Sequence, residues 1–266
     1  MRFHVVIPSR YASTRLPGKP LLDIGGRTMI QRVVAHACAS GAERVVVATD
    51  DARIAAAVHD PRDRSAVIAV MTDPELPSGT DRVAAVAAAL GWDEGTVVVN
   101  VQGDEPFMPP ALIEQAAELL HGDESAGIAT LATPIRSLEE FRDPNVVKVV
   151  AADDGAALYF SRAAIPFVRD GATGAASGEH EFARAMRHIG IYAYRVGALI
   201  RITALPPSSL EQCEKLEQLR ALQHGMRILV GTCRVPPGPG VDTESDLQRA
   251  REIAGQRGIE APGVFK

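Results

Sequence analysis

The stretch VVIPSRYASTRLPGKPLL, residues 5–22, joins a β-prone apolar run to a loop that carries three cations, Arg10, Arg15 and Lys19. Arginine offers forked donors and lysine a compact point charge, a combination that suits several phosphates better than one carboxylate. The loop is not a Walker P-loop, because Pro20 stands where a Ser or Thr would bind magnesium. We therefore predict a triphosphate site at the end of a strand. The alternative interpretation is a solvated basic turn.

Composition narrows the class of protein. The chain has 266 residues, 46% of them hydrophobic, and a formal net charge of −5, as in an ordinary globular domain. The acidic balance argues against a nucleic-acid partner, and no run approaches the about 20 apolar residues of a membrane span. The 3 cysteines lack the spacing of a zinc site or a disulfide framework. We expect a cytoplasmic protein with no nucleic-acid partner and no membrane segment.

β-branched runs alternate with helical patterns over the first half of the chain. The runs lack polar alternation, which is typical of strands buried on both faces. They are residues 5–7, 45–48, 67–70 and 97–101. Apolar spacing predicts helices over residues 27–39, 80–90 and 110–120. This alternation predicts an α/β fold with a parallel, doubly wound sheet, in which ligands bind beyond the carboxyl ends of the strands.

The pattern changes in the second half. ALYFSR (157–162) and HIGIYAYR (188–195) indicate strands, and the segment 169–181 between them indicates a mobile loop. We interpret the chain as a single domain, 1–266, with an inserted lobe at about residues 155–210.

The C-terminal part returns to helix and strand. Ser209 with Gln212 three residues later predicts a helix start, and the helix is expected to run to Gly225. The strand ILVGT follows, and a last helix is expected to begin near Thr243.

Three more loops carry polar clusters. NVQGDEPFMPP (100–110) follows an apolar run and carries Asp104 and Glu105, carboxylates of the kind that suit magnesium. GVDT (240–243) carries Asp242 before the last helix. Alone, each acid could belong to a turn or a helix start. Together Asp104 and Asp242 predict a magnesium site, since Mg²⁺ is held by one or two carboxylates plus substrate phosphates. PSGTDR (77–82) enters a helix whose free N–H groups could bind a base or phosphate, or simply form an N-cap.

These motifs occur together in one known family. In chain order they are PSRYASTRLPGKPL, SGTDR, VVNVQGDEP, NVVKVV, ALYFSR, HIGIYAYR, LEQLRAL and GVDT. From residue 5 to about 251, the chain resembles the 3-deoxy-manno-octulosonate (Kdo) cytidylyltransferases, also called CMP-Kdo synthetases. The resemblance implies a Rossmann-like nucleotidyltransferase fold with a mostly parallel central sheet flanked by helices, and a smaller lobe that joins a homodimer. It implies that CTP and Kdo give CMP-Kdo and pyrophosphate for lipopolysaccharide biosynthesis, with Mg²⁺ as cofactor.

The resemblance also implies roles for single residues. It assigns the triphosphate to Arg10, Arg15 and Lys19, and the cytidine to Ser78, Gly79, Arg82 and Gln102. It assigns magnesium to Asp104 and Asp242, which with Lys19 would form the catalytic set. It assigns the carboxylate and hydroxyls of the sugar acid to Arg162, His188, Tyr192, Glu217 and Gln218. The family often has an acid, a His and a Pro before SGT, whereas this chain has Glu75, Leu76 and Pro77, so an imidazole contact with cytosine is missing there.

Two alternatives stay open on the sequence. The acceptor could be another sugar acid, such as a sialic acid or an amino-substituted Kdo. The chain could also be a nucleotide-binding regulatory protein without turnover, against which the presence of both Asp104 and Asp242 argues. For the enzyme we expect an in-line displacement by the anomeric hydroxyl on the α-phosphorus of CTP, which needs alignment and charge stabilisation and no covalent nucleophile.

Overall fold

The computed structural model describes residues 1–12, 15–58, 67–169 and 182–256. Its strands are β1 (His4–Pro8), β2 (Arg44–Thr49), β3 (Val67–Met71), β4 (Val97–Asn100), β5 (Ile128–Pro134), β6 (Lys148–Ala151), β7 (Ala157–Ser161), β8 (Met186–Arg195) and β9 (Ile228–Thr232). Over the described residues these strands form one sheet, with the order β3-β2-β1-β4-β8-β5-β9 along its main path. Residues 170–181 of the expected mobile loop lie outside the described residues.

Along its main path the sheet is parallel except where β8 enters it, and off this path β6 pairs antiparallel with β7. β1 pairs in parallel with β2 and β4, β2 with β3, and β5 with β9. β8 lies antiparallel between β4 and β5. The prediction of a mostly parallel central sheet flanked by helices is confirmed along this path, and β8 joins its two parallel parts.

Helices cover both faces of the sheet. They are α1 (Met29–Cys38), α2 (Ala52–Ala57), α3 (Gly79–Ala89), α4 (Pro110–His121), α5 (Leu138–Arg142), α6 (Val196–Ala204), α7 (Ser209–Glu214), α8 (Gln218–Gln223) and α9 (Glu244–Gln256). Neighbouring strand residues point to opposite faces, so Val97 and Val99 pack in the core that includes α1 and α4, while Val98 packs in the core that includes α3 and α6. None of the described helices is long and apolar enough to span a bilayer.

The single helix expected over 209–225 is wrong, because the chain forms α7 and α8 with a break between them. Lys215 at the break adopts a left-handed conformation, with φ 54° and ψ 45°. The cap is Ser208, one residue earlier than expected: its hydroxyl accepts a hydrogen bond from the Glu211 N–H at 3.3 Å, and the Glu211 carboxylate accepts one from the Ser208 N–H at 3.0 Å. After the break, Glu217 stands at the N-cap of the second helix.

Residues 155–210, expected as an inserted lobe, divide between several places. β7 pairs with β6 at the side of the sheet. In contrast, β8 lies within the main path, and α6 packs with α3 on one face. The function of this region in dimerisation stays a prediction.

The loops after β1 and β4 lie side by side because these strands are neighbours in parallel, with Val6 opposite Asn100. Gly103 permits the approach: a Cβ at this position would lie 2.9 Å from the Pro8 carbonyl oxygen and 3.2 Å from the Ser9 side chain. The cationic loop and the first acidic loop therefore share one edge of the sheet.

Candidate active site

A cavity of about 580 Å³ opens at this edge of the sheet. Its lining includes every residue that the sequence assigned to the nucleotide and the metal, namely Arg10, Arg15, Lys19, Ser78, Gly79, Arg82, Gln102, Asp104 and Asp242. The structure thus brings four separate motifs to one place. The contacts that each residue makes with a ligand stay predictions.

Two carboxylates from distant parts of the chain meet at one ammonium group. Lys19 Nζ donates to Asp104 Oδ2 at 2.7 Å, to Asp242 Oδ1 at 3.0 Å and to the Val241 carbonyl at 2.9 Å. Arg15 reaches the same Asp242 oxygen at 3.2 Å. The Lys19 side chain is 13% exposed, which strengthens the attraction relative to a pair in bulk water. A cation is therefore strongly favoured between the two carboxylates.

Backbone packing holds Asp242 beside Asp104. The Val241 N–H donates to the Asp104 carbonyl at 2.9 Å. The Val241 side chain is buried and packs in a cluster that includes Leu16 and Phe107. The residue before Asp242 is thus fixed by both its backbone and its side chain.

Glu105 follows Asp104 in the same acidic loop but was not assigned to the metal pair. Burial, followed by the nearby carboxylates of Asp104 and Asp242, raises the pKa of Glu105 to about 8. This carboxyl group therefore keeps its proton at neutral pH and does not add a third negative charge. The sequence shows that Asp104 and Glu105 are adjacent, but it does not show the burial that raises the pKa of Glu105.

Arg82 forms one wall of the cavity, and its guanidinium is engaged by the protein. It donates to Asp50 Oδ2 at 2.8 Å, to Thr72 Oγ1 at 2.6 Å and to the Asp73 carbonyl at 3.1 Å. These bonds join the loops after β2 and β3 to α3, and the Arg82 side chain is only 3% exposed. Asp50, at the end of β2, was missed in the sequence because only the fold brings it to Arg82.

The start of α3 faces both the cavity and a buried acid. Ser78 caps the helix, accepting a hydrogen bond from the Asp81 N–H at 3.2 Å. Burial raises the pKa of Glu217, and hydrogen bonds from Thr80 and Ser78 act in the opposite direction. This helix start therefore connects the predicted cytidine loop to a residue assigned to the sugar acid.

A second cavity of about 140 Å³ adjoins this helix start. It is lined by Tyr192, Glu217 and Gln218, three of the residues assigned to the sugar acid, and also by Gln102. Gln102 lines the larger cavity too. Burial raises the pKa of Tyr192 well above its ordinary value, so its phenol is neutral. We call the two sites the large cavity and the small cavity.

The other two residues assigned to the sugar acid lie outside these linings. His188 packs behind Tyr192, with ring centroids 5.2 Å apart, and desolvation lowers the pKa of His188 to about 3, which leaves the ring neutral. Arg162 donates through Nε to the Glu214 carbonyl at 2.7 Å and through a terminal nitrogen to the Pro144 carbonyl at 2.9 Å. The structure does not bring Arg162 to either cavity, and its contact with a sugar acid stays a prediction.

The Asp104–Asp242 pair fits a magnesium ion held partly by substrate. Both side chains place an oxygen within 3.0 Å of the same ammonium nitrogen, so one cation can reach both. Among the described residues, no group of three or more His, Cys, Asp or Glu is arranged as a metal site. Phosphate oxygens and water would have to supply the remaining ligands, as Mg²⁺ sites at phosphates commonly require.

Comparisons with known proteins agree with the fold and the motifs. A family model described as cytidylyltransferase matches residues 4–228. A 3-deoxy-manno-octulosonate cytidylyltransferase from Methylococcus capsulatus is 53% identical over 94% of this chain and 95% of its own length. One of the same name from Idiomarina loihiensis is 52% identical over 96% of this chain and 99% of its own.

Solved structures extend the comparison to the backbone. A structure of CMP:2-keto-3-deoxy-manno-octonic acid synthetase complexed with CTP has a TM-score of 0.85 and 40% identity, covering 97% of this chain and 100% of that one. A structure from Bacillus anthracis named for glucose-1-phosphate thymidylyltransferase has a TM-score of 0.64 at 16% identity, covers 97% of both chains and supports the fold alone. Since sequence, motif order and backbone agree over nearly the whole length, the chain belongs to the 3-deoxy-manno-octulosonate cytidylyltransferase family.

Proposed function

We propose that this protein transfers CMP from CTP to Kdo, giving CMP-Kdo and pyrophosphate. The observation that carries the proposal is the meeting of Asp104 and Asp242 at Lys19, inside a cavity that Arg10 and Arg15 also line. Two carboxylates beside three cations suit the transfer of a nucleotidyl group, because both the triphosphate and a divalent ion need partners of opposite charge.

The cationic loop binds and orients the triphosphate in this proposal. Arg15 and Lys19 both donate to Asp242 Oδ1. From this position they can stabilise the charge that develops on pyrophosphate as it leaves. Lys19 must exchange its carboxylate partners for phosphate oxygens when the nucleotide and its metal bind. The start of α3, with Ser78 and Gly79, faces the remainder of the nucleotide.

Magnesium at Asp104 and Asp242 is part of the proposal. When bound there, Mg²⁺ would supply positive charge that lowers the repulsion between the α-phosphate and the sugar acid and favours ionisation of the attacking hydroxyl. The protein's own contribution is to hold the two carboxylates together through the Val241 backbone.

The acceptor lies between the two cavities. Tyr192, Glu217 and Gln218 line the small cavity, and Gln102 lines both. An acceptor held there has its anomeric hydroxyl directed to the α-phosphate in the large cavity. This alignment allows displacement in one step, without a covalent intermediate.

A pyrophosphate-release assay with CTP, Kdo and Mg²⁺ tests the proposal. Wild-type protein should release pyrophosphate, and Asp104→Asn or Asp242→Asn should abolish release. Asp154→Asn is the matched control, because this acid pairs with Arg227 at the surface and is 57% exposed; its rate should equal that of the wild type. Near-normal turnover by both site variants would refute the metal assignment.

A substrate panel tests the choice of nucleotide and acceptor. We expect CTP to exceed ATP, GTP and UTP, and Kdo to exceed sialic acid and amino-substituted Kdo. If the protein preferred another sugar acid, that compound would replace Kdo as the proposed acceptor, and the proposed phosphate site would be unaffected. Tight CTP binding without pyrophosphate release from any acceptor would favour the regulatory alternative.

We also propose a homodimer in the cytoplasm that acts in lipopolysaccharide biosynthesis. Support for the dimer comes from Leu158 and Phe167, which are 61% and 81% exposed within the expected lobe; exposed apolar groups of this size are common at interfaces. Light scattering should give twice the chain mass, and Phe167→Ser should reduce it. Met71→Ser is the control, since Met71 is 56% exposed on a distant strand. A monomeric wild type contradicts the proposal.

A further inference from the structure

Asn100 is the last residue of β4, and the structure leaves its carboxamide oxygen without a partner. The residue is 1% exposed, and Oδ1 is buried with no hydrogen-bond partner among the described residues. Buried polar atoms in native proteins are nearly always hydrogen-bonded, so an exception requires an explanation. The sequence had assigned no function to Asn100.

The carboxamide belongs to a polar row across three strands. Asn100 is paired with Tyr192 of β8, and Tyr192 is paired with Thr130 of β5. Residues two apart on a strand share a face, so Asn100 shares the face of Val98, where α3 and α6 pack. This is the face on which the small cavity opens, and Asn100 lines that cavity.

Thr130 on the row and Glu217 beside it already have partners. The Thr130 hydroxyl donates to the Ile191 carbonyl at 2.7 Å and also contacts His188 Nε2 at 2.9 Å. Glu217, which also lines the small cavity, is hydrogen-bonded by Thr80 and Ser78. The Asn100 oxygen therefore differs from these groups, since it is buried at the lining of the small cavity and has no hydrogen-bond partner among the described residues.

The chemistry of the cavity identifies that group. The described lining of the small cavity contains amides, hydroxyls and Glu217, but no Arg or Lys. A carboxylate would be repelled there, whereas a hydroxyl can donate to an amide oxygen. The anionic end of a sugar acid must therefore point toward the cations of the large cavity, with its hydroxyl-bearing end in the small cavity.

We propose that Asn100 is a specificity-determining residue that accepts a hydrogen bond from a hydroxyl of the acceptor. The inference rests on the proposed function, since it deepens the acceptor site of the same reaction. Before binding, the unpaired oxygen destabilises the folded protein, and the acceptor hydroxyl removes that cost. An acceptor without this hydroxyl leaves the oxygen buried and unpaired, which is how a polar pocket rejects an analogue.

Asn100→Leu tests the proposal, because leucine has a similar volume and no acceptor atom. We expect the KM for Kdo to rise about tenfold, equal to about 1.4 kcal/mol, while the KM for CTP stays within about twofold. The melting temperature should stay unchanged or rise, because a buried unpaired polar atom has been removed. The control is Val98→Thr on the same face: it should lower the melting temperature and leave the KM for Kdo within about twofold.

Kdo analogues that each lack one hydroxyl complete the test. In the wild type, one analogue should show about the same tenfold rise in KM as the leucine variant shows with Kdo. In Asn100→Leu that analogue should show no further rise. If the leucine variant does not fold, Asn100→Ala takes its place in the same series.

Two results would overturn the inference. One is a leucine variant that melts at a lower temperature and keeps its KM for Kdo, which would make Asn100 a structural residue. The other is a series of analogues whose losses are all unchanged by the variant. Failure of the proposed function is distinct, because then the wild type itself would not release pyrophosphate from CTP and Kdo.

Discussion

The buried ion pair between Asp50 and Arg82 should be a principal support of the nucleotide cavity. Asp50 Oδ2 lies 2.8 Å from the Arg82 guanidinium, and the two side chains are 13% and 3% exposed. The pair joins the end of β2 to α3, and Arg82 also donates to Thr72 at the end of β3. We therefore predict that Asp50→Asn destabilises the protein and weakens CTP binding.

The burial of the pair sets the expected loss of stability in Asp50→Asn. Removing one partner of a buried ion pair typically costs about 3–5 kcal/mol, because the other charge is left uncompensated. The loss would be a large part of a total free energy of unfolding of about 5–15 kcal/mol. The Glu118–Arg234 pair offers a comparison, since its 2.6 Å contact is as short but its side chains are 38% and 64% exposed. Glu118→Gln should cost about 0–1 kcal/mol.

Urea denaturation of the wild type and the two variants measures these differences, and titration with CTP measures the effect on the cavity. We expect Asp50→Asn to have a clearly lower midpoint and a weaker apparent CTP affinity, and Glu118→Gln to match the wild type in both. Equal midpoints for the two variants would refute the argument that burial decides the cost. A less stable Asp50→Asn with unchanged CTP affinity would show that Arg82 does not shape the cavity.

Three more changes should have measurable effects. Glu105 keeps its proton in the folded state up to pH about 8, whereas the unfolded chain loses it near the ordinary value of 4.5, so wild-type stability falls as pH rises through this window. In metal-free buffer, the gain in melting temperature of Glu105→Gln should therefore widen from pH 5 to 8; a constant difference contradicts the raised pKa. Lys148 is fully buried and donates to three carbonyls at 2.6–2.9 Å. Lys148→Met should therefore lower the free energy of unfolding, measured by urea denaturation, by more than about 3 kcal/mol. A loss below about 1 kcal/mol would contradict a stabilising role for these hydrogen bonds. A Cβ at Gly238 would lie 2.5 Å from the Phe107 side chain, so Gly238→Ala should shift the loop that leads to Asp242, the second carboxylate of the proposed magnesium site. The variant should raise the Mg²⁺ concentration needed for half-maximal rate about tenfold. Gly95→Ala, with no atom within 4 Å of its Cβ, should leave this concentration unchanged, and equal behaviour of the two alanine variants would argue against the steric explanation.

Much of the fold was predictable because its signals are local. The apolar runs at residues 5–7, 45–48, 67–70 and 97–101 became β1, β2, β3 and β4, since a strand buried on both faces needs β-branched residues in sequence. The prediction of one helix over 209–225 failed because Lys215 adopts a left-handed conformation, which the helical pattern of the sequence does not reveal.

The candidate site was predictable in its residues and not in its contacts. The strand-end rule placed Lys19, Asp104 and Asp242 at one edge of the sheet, and they line one cavity. The ion pair of Arg82 with Asp50 and the raised pKa of Glu105 depend on which groups surround a buried charge. Such surroundings come from distant parts of the chain.

The amino-acid sequence by itself determined the alternation of strands and helices, the cations after the first strand and the carboxylates that a divalent ion would need. Those features depend on periodicity, on turn chemistry and on residue type, all of which act over a few neighbours. Only the tertiary structure decided that β8 enters the sheet antiparallel between β4 and β5, setting Tyr192 beside Asn100. It also decided that Val241 docks on the Asp104 carbonyl. Strand order and the burial of polar groups are set by contacts between distant segments, whose energies exist only once the whole sheet has formed.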